Sequence, residues 1–106
     1  MKKYKIVVFV PESHAEKVRE AMANAGAGKI GNYSYCTFTS KGVGRFKPLL
    51  GAKPTIGEVG RLEAVEEERI ETVCAEENLN AVLSAIKDAH PYEEPAIDVY
   101  LLEVIE

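Results

Sequence analysis

Within 106 residues the chain twice runs from a β-rich segment into an amphipathic helical segment and back into a β-rich one, and a glycine-rich stretch separates the two passes. Tyr4–Val10 carries apolar side chains on both alternating faces, Tyr4, Ile6, Val8 and Val10 against Val7 and Phe9, which is the pattern of an inner strand. Pro11 ends it, and Ser13 and Glu16 have the spacing of a capping box that opens a helix. Ala15, Val18, Met22 and Ala25 then recur at helical steps, and Gly26 and Gly28 supply the left-handed residues that stop a helix. Tyr33–Thr39 reads as the second strand, and Ser40–Gly57 as a long loop because of its glycines and its two prolines.

The second pass begins with a third strand over 58–74, in which Glu66, Glu67 and Glu68 interrupt the alternation and suggest a bulge or a bend. Asn78 is placed to cap a helix whose apolar stripe is Leu79, Val82, Leu83 and Ile86, closing near His90-Pro91. Residues 96–104 supply the fourth strand. The order β-α-β-β-α-β predicts one α+β domain over 1–106. Its expected form is the ferredoxin-like sandwich, a four-stranded antiparallel sheet with two helices on one face.

Charge is distributed unevenly along this order. From Ala21 to Gly57 there is no acidic residue, while Lys29, Lys41, Arg45, Lys47 and Lys53 are basic; beyond Gly57 acidic residues dominate, and the whole chain carries −4. That net charge argues against bulk attraction to nucleic acid or to a membrane, whereas the basic middle suits a small anion or head-to-tail contact between copies of the chain. Solvated surface charge accounts for the same segment equally well. The apolar run before Pro11 has seven residues, too few for a secretory signal core or a membrane span. Cys36 and Cys74 read as reduced, small apolar strand residues, and a cytoplasmic location follows from that reading.

Two segments are able to carry chemistry. The loop holding Gly42, Gly44, Arg45, Phe46, Lys47, Gly51, Lys53 and Gly57 is neither a Walker loop nor a dinucleotide fingerprint. Its glycines nevertheless let backbone amides approach a ligand beside three cations, so these eight residues form the candidate ligand-binding set. Phe46, Leu49, Leu50 and Ile56 are too apolar for a free loop and should pack against something, such as a neighbouring subunit or a partner. The run His90-Pro91-Tyr92-Glu93-Glu94-Pro95 has a structural reading, two prolines stiffening a turn anchored by Tyr92. It also has a metal-binding one, with His90, Glu93 and Glu94 as donors to a divalent ion. His14 reads as solvent-facing, and Glu66–Glu68 as a solvated strand edge that discourages aberrant pairing. No serine–histidine–aspartate grouping, His-Glu-x-x-His pair or Cys-x-x-Cys occurs, so no catalytic residue is assigned.

Val10-Pro11-Glu12-Ser13-His14, the Gly42–Gly57 loop with its Gly-Arg-Phe-Lys-Pro and Gly-Ala-Lys-Pro runs, and the His90–Pro95 turn closely resemble the YqfO-like module. That module is the domain inserted into some bacterial members of the Nif-three-like (NGG-interacting factor) family, and the similarity covers roughly residues 3 to 103. The resemblance implies kinship with the PII and CutA proteins, their ferredoxin-like plan and their trimeric assembly. Larger relatives hold two metal ions in the domains that flank the insertion and are sometimes described as GTP cyclohydrolases. With only His14 and His90 available, that di-metal centre is not carried over to this sequence.

The expectation is therefore a non-catalytic, oligomeric binding or regulatory module, a trimer by preference, receiving an anion or a divalent metal ion at subunit clefts. Two alternatives stand beside it. One is a metal-dependent hydrolase acting on a nucleotide-like substrate; the other is a partner in trans of a Nif-three-like metalloenzyme.

Overall fold

The computed structural model describes residues 2–105. Its elements are β1 (Lys3–Pro11), α1 (Ala15–Asn24), β2 (Thr37–Phe46), β3 (Glu63–Ala75), α2 (Leu79–Ala89) and β4 (Ala96–Leu102), with a short 3-10 turn before each helix. The four strands form one sheet in the order β2-β3-β1-β4, and every neighbouring pair is antiparallel. This is the ferredoxin-like α+β sandwich, with β1 on the inside as its two apolar faces require.

One face of the sheet is closed by the helices. Ile6, Val8 and Val10 of β1 and Ile70 and Cys74 of β3 meet Val18 and Met22 of α1 and Val82 and Ile86 of α2 in a single buried cluster. Burying each of the larger side chains contributes about 1.5–3 kcal/mol, and the helical stripes fall where the three- and four-residue spacing places them. α1 ends at Gly26, whose φ of 112° lets Gly26 N–H reach Ala23 and Ala27 N–H reach Met22, a Schellman closure.

Local details depart from the sequence reading. Neither helix has a side-chain cap: Ser13 bonds to His14, Glu16 turns to Arg19, and the Asn78 side chain lies against the backbone of Gly26. The 3-10 turn ahead of each helix takes the place of the expected cap. The second strand starts later and ends later than expected. Tyr35 adopts a φ of 61°, and an extended ladder cannot run through a left-handed residue, so pairing begins at Thr37 and Cys36 lies half-buried outside the strand. From there the strand continues through Gly42 and Gly44 to Phe46, so the first part of the predicted loop is sheet.

The third strand begins at Glu63 rather than residue 58, and its register with both β1 and β2 is unbroken through Glu66, Glu67 and Glu68. There is no bulge. Because β3 is an inner strand, Glu67 and Glu68 are buried rather than lining a solvated edge. On the helix face, Glu68 Oε1 accepts a 2.6 Å hydrogen bond from Arg19, which also reaches Thr39. The hydrogen bond to Glu68 holds the Arg19 guanidinium above its ordinary pKa.

Candidate functional site

Alternation along the strands sends Phe9, Glu67, Gly44 and Phe46 to the sheet face opposite the helices. There the segment from Lys47 to Leu62 folds over the end of the sheet and meets the turn between α2 and β4. Two hydrogen bonds fasten it: Lys53 N–H donates to Glu93 at 3.1 Å, and the Thr55 hydroxyl donates to the Pro91 carbonyl at 2.7 Å. The ring of Phe46 stands edge-on to that of Tyr92, with centroids 5.6 Å apart. Between segment and turn lies a cleft of about 320 Å³, at the small end of the ligand-site range.

Of the eight predicted ligand residues, Gly44, Arg45, Phe46 and Lys47 line this cleft. Gly42 borders a smaller neighbouring cleft of about 210 Å³, while Gly51, Lys53 and Gly57 line neither. Gly51 has a φ of 101° and turns the chain at Leu49-Leu50, both of which remain exposed. Ile56 faces the cleft, so the packing expected of the apolar loop residues is realised for Phe46 and Ile56 and not for the two leucines within this chain.

His90 is 6 % exposed and both of its ring nitrogens are engaged. Nε2 lies 2.7 Å from the Phe9 carbonyl, which can only accept, so Nε2 carries the proton. The Tyr92 N–H donates to Nδ1 at 3.1 Å, so Nδ1 does not. The imidazole is thus a neutral brace joining β1 to the turn, and burial pushes its pKa below the ordinary histidine value. Glu93 holds the loop and Glu94 is exposed at the rim. The three predicted metal donors are not brought together, and among the described residues no three His, Cys, Asp or Glu side chains form a group able to hold a metal ion. His14, half-buried, bonds to Ser13.

A buried neutral histidine gives a signed pH dependence. Its folded pKa lies below the unfolded one of about 6.5, so the unfolded chain binds more protons at acid pH and stability falls as pH drops through that value. Urea titrations between pH 7.5 and 5 should show this slope, and it should flatten in His90→Gln.

Glu67, expected from the sequence on a solvated strand edge, has a place at the cleft that the sequence did not assign. It is 8 % exposed, its Oε2 accepts the Tyr92 hydroxyl at 2.9 Å, and its carboxylate covers Gly44 so closely that a Cβ there would collide with it. Burial, followed by the bond to Glu67, raises the Tyr92 phenol above its ordinary pKa and keeps it a donor. The available signal was a pair of glycines two residues apart in a β-rich run, Gly42 and Gly44, which marks close approach across a strand. Cys74 is buried, and burial raises its thiol pKa, so it is no nucleophile.

None of the protein-family models matches this chain. Among curated proteins, the "GTP cyclohydrolase 1 type 2 homolog" of Halalkalibacterium halodurans is 60% identical over 99 residues, which is 93% of this chain and 27% of that protein. Among solved structures, a Bacillus cereus protein related to NIF3 superposes with a TM-score of 0.85 at 51% identity, covering 97% of this chain and 26% of the other. CutA from Archaeoglobus fulgidus, described as a periplasmic divalent cation tolerance protein, gives 0.70 at 18% identity, covering 98% and 87%. Bacillus subtilis GlnK gives 0.60 at 16%, covering 96% and 86%. The last two show the shared fold alone. By sequence and by structure the chain is similar to one module of NIF3-related proteins, and it spans about a quarter of the length of the relatives it matches.

Proposed function

We propose that this chain is a non-catalytic binding module of a cytoplasmic oligomer, a trimer by preference, that receives a small anion at the cleft beneath the 47–62 segment. The observation that carries the reading is a pair of cations, Arg45 and Lys47, that line the cleft with no ion-pair partner among the described residues. Among the described residues Lys2, Lys5, Arg19, Lys41 and Arg69 are paired with carboxylates and Lys3, Lys17, Lys29, Lys53, Arg61 and Lys87 are not, so what sets Arg45 and Lys47 apart is their place at the cleft, which Glu67, Glu93 and Glu94 also line. The imidazole nearest the cleft is committed at both nitrogens, which supports binding rather than proton transfer. Both cysteines are free, as a reducing compartment favours, and among the described residues no helix is long and apolar enough to cross a membrane.

Calorimetry with inorganic pyrophosphate should detect binding that weakens with added salt and is lost in Arg45→Ala/Lys47→Ala; unchanged binding in that variant would remove the reading. Assembly is supported by the two outer strands, β2 and β4, which expose Phe38, Val43, Tyr100 and Leu101 beside unpaired backbone. Light scattering at micromolar concentration should give a multiple of 11.6 kDa, and a monomer would remove the oligomer.

The quarter-length match favours one further reading, that the module acts on a NIF3-related protein in trans. Co-purification from native cells tests it, and failure to recover such a protein would count against it.

A further inference from the structure

We propose that Glu67 is the receptor for a guanidinium group. The residue as a whole is nine-tenths buried, yet its sole hydrogen bond among the described residues comes from a neutral phenol, and it takes part in no ion pair. No buried side-chain oxygen is left without a partner among the described residues, so Oε1, which accepts no hydrogen bond from the chain, keeps an opening to solvent through which a charged donor can reach it. The free oxygen, Oε1, stands over Gly44, where the missing side chain leaves it uncovered. The two clefts of this sheet face share Phe9, Gly44 and Glu67, so the carboxylate lies at their junction.

The walls select the class of cation. Phe9, Phe46 and Tyr92 line the same cleft as the carboxylate, and Tyr92 bonds to it. A planar guanidinium satisfies both demands at once, forking its N–H groups to a carboxylate and stacking on rings, whereas an ammonium does only the first well. Phe9 already takes such a group on one side: the Arg69 guanidinium carbon lies 5.6 Å from its ring centroid. Arg69 is bonded away to Glu71 at 3.3 Å and leaves Glu67 unpaired. Arg45 and Lys47 line the larger cleft without pairing with Glu67. A ligand with a guanidinium at one end and an anionic group at the other would engage both sets.

The proposal rests on the cleft of the proposed function but on different residues, so each can fail alone. The test is amide chemical-shift titration of the full chain with four probes. Two are L-arginine and an acetylated, amidated Gly-Arg-Gly peptide; the others are their citrulline counterparts, which keep the shape and lose the charge. Arginine probes should shift Phe9, Gly44 and Tyr92 saturably and bind about tenfold or more tightly than the citrulline probes. That preference should vanish in Glu67→Gln, which keeps an acceptor for Tyr92, and persist in Arg45→Ala/Lys47→Ala. Response to free arginine alone identifies a small molecule, and response to the peptide identifies an arginine of a protein partner. Equal response to arginine and citrulline, no response to either, or an arginine preference retained by a folded Glu67→Gln overturns the proposal.

Discussion

Replacing His90 with alanine is expected to lower the unfolding free energy by about 2–4 kcal/mol, the larger part from stranded hydrogen-bonding groups rather than lost volume. The ring accepts from the Tyr92 N–H and donates to the Phe9 carbonyl, and both partners would be left without it. The loss spreads beyond stability, because the same ring fixes the turn that holds Tyr92 against Phe46 and presents Glu93 to Lys53. Urea denaturation gives the free energy, and faster amide exchange at Lys53 reports the loosened loop. A histidine whose removal costs less than about 0.5 kcal/mol, the range of an ordinary surface substitution, would contradict its role as a brace.

Gly44→Val should destabilise by about 2–4 kcal/mol, although valine is the better strand former at an extended position. The new side chain would occupy the space of the Glu67 carboxylate, expel it from the sheet face and leave the Tyr92 hydroxyl unpaired. A double-mutant cycle isolates the mechanism. Glu67→Ala should recover most of the loss when combined with Gly44→Val, because the collision disappears and the β propensity remains. Additive losses in the double variant would show that Gly44 is required for a reason other than the carboxylate above it.

These two positions show where sequence patterns carry information and where they stop. The helical stripes Val18–Met22 and Val82–Ile86 and the two-sided strand Tyr4–Val10 are periodic, and period alone says which face meets the core. Gly26 ends α1 for a local reason that its neighbours cannot alter. The boundaries of β2 were misread because the signals of a loop and of a closely packed strand are the same residues: Gly42 and Gly44 are sheet glycines kept small by what lies over them. His90 was visible as chemistry, but its two hydrogen bonds engage β1 and the turn, and the β1 contact is 81 residues away in the chain. The expected caps, the Ser13–Glu16 box and Asn78, failed for a related reason, since a 3-10 turn offered the first amides other geometry.

By itself the amino-acid sequence determined the element order, the two-layer plan, the buried stripes and the segment in which basic charge collects, because each is encoded in residues a few positions apart. Only the tertiary structure decided that β3 lies inside the sheet, that Glu67 and Glu68 are buried on opposite faces of it, and that the 47–62 segment closes on the His90 turn. Those facts depend on strand order and on contacts between distant segments. A carboxylate's solvation is set by what the fold places over it, and three adjacent glutamates look alike until that is known.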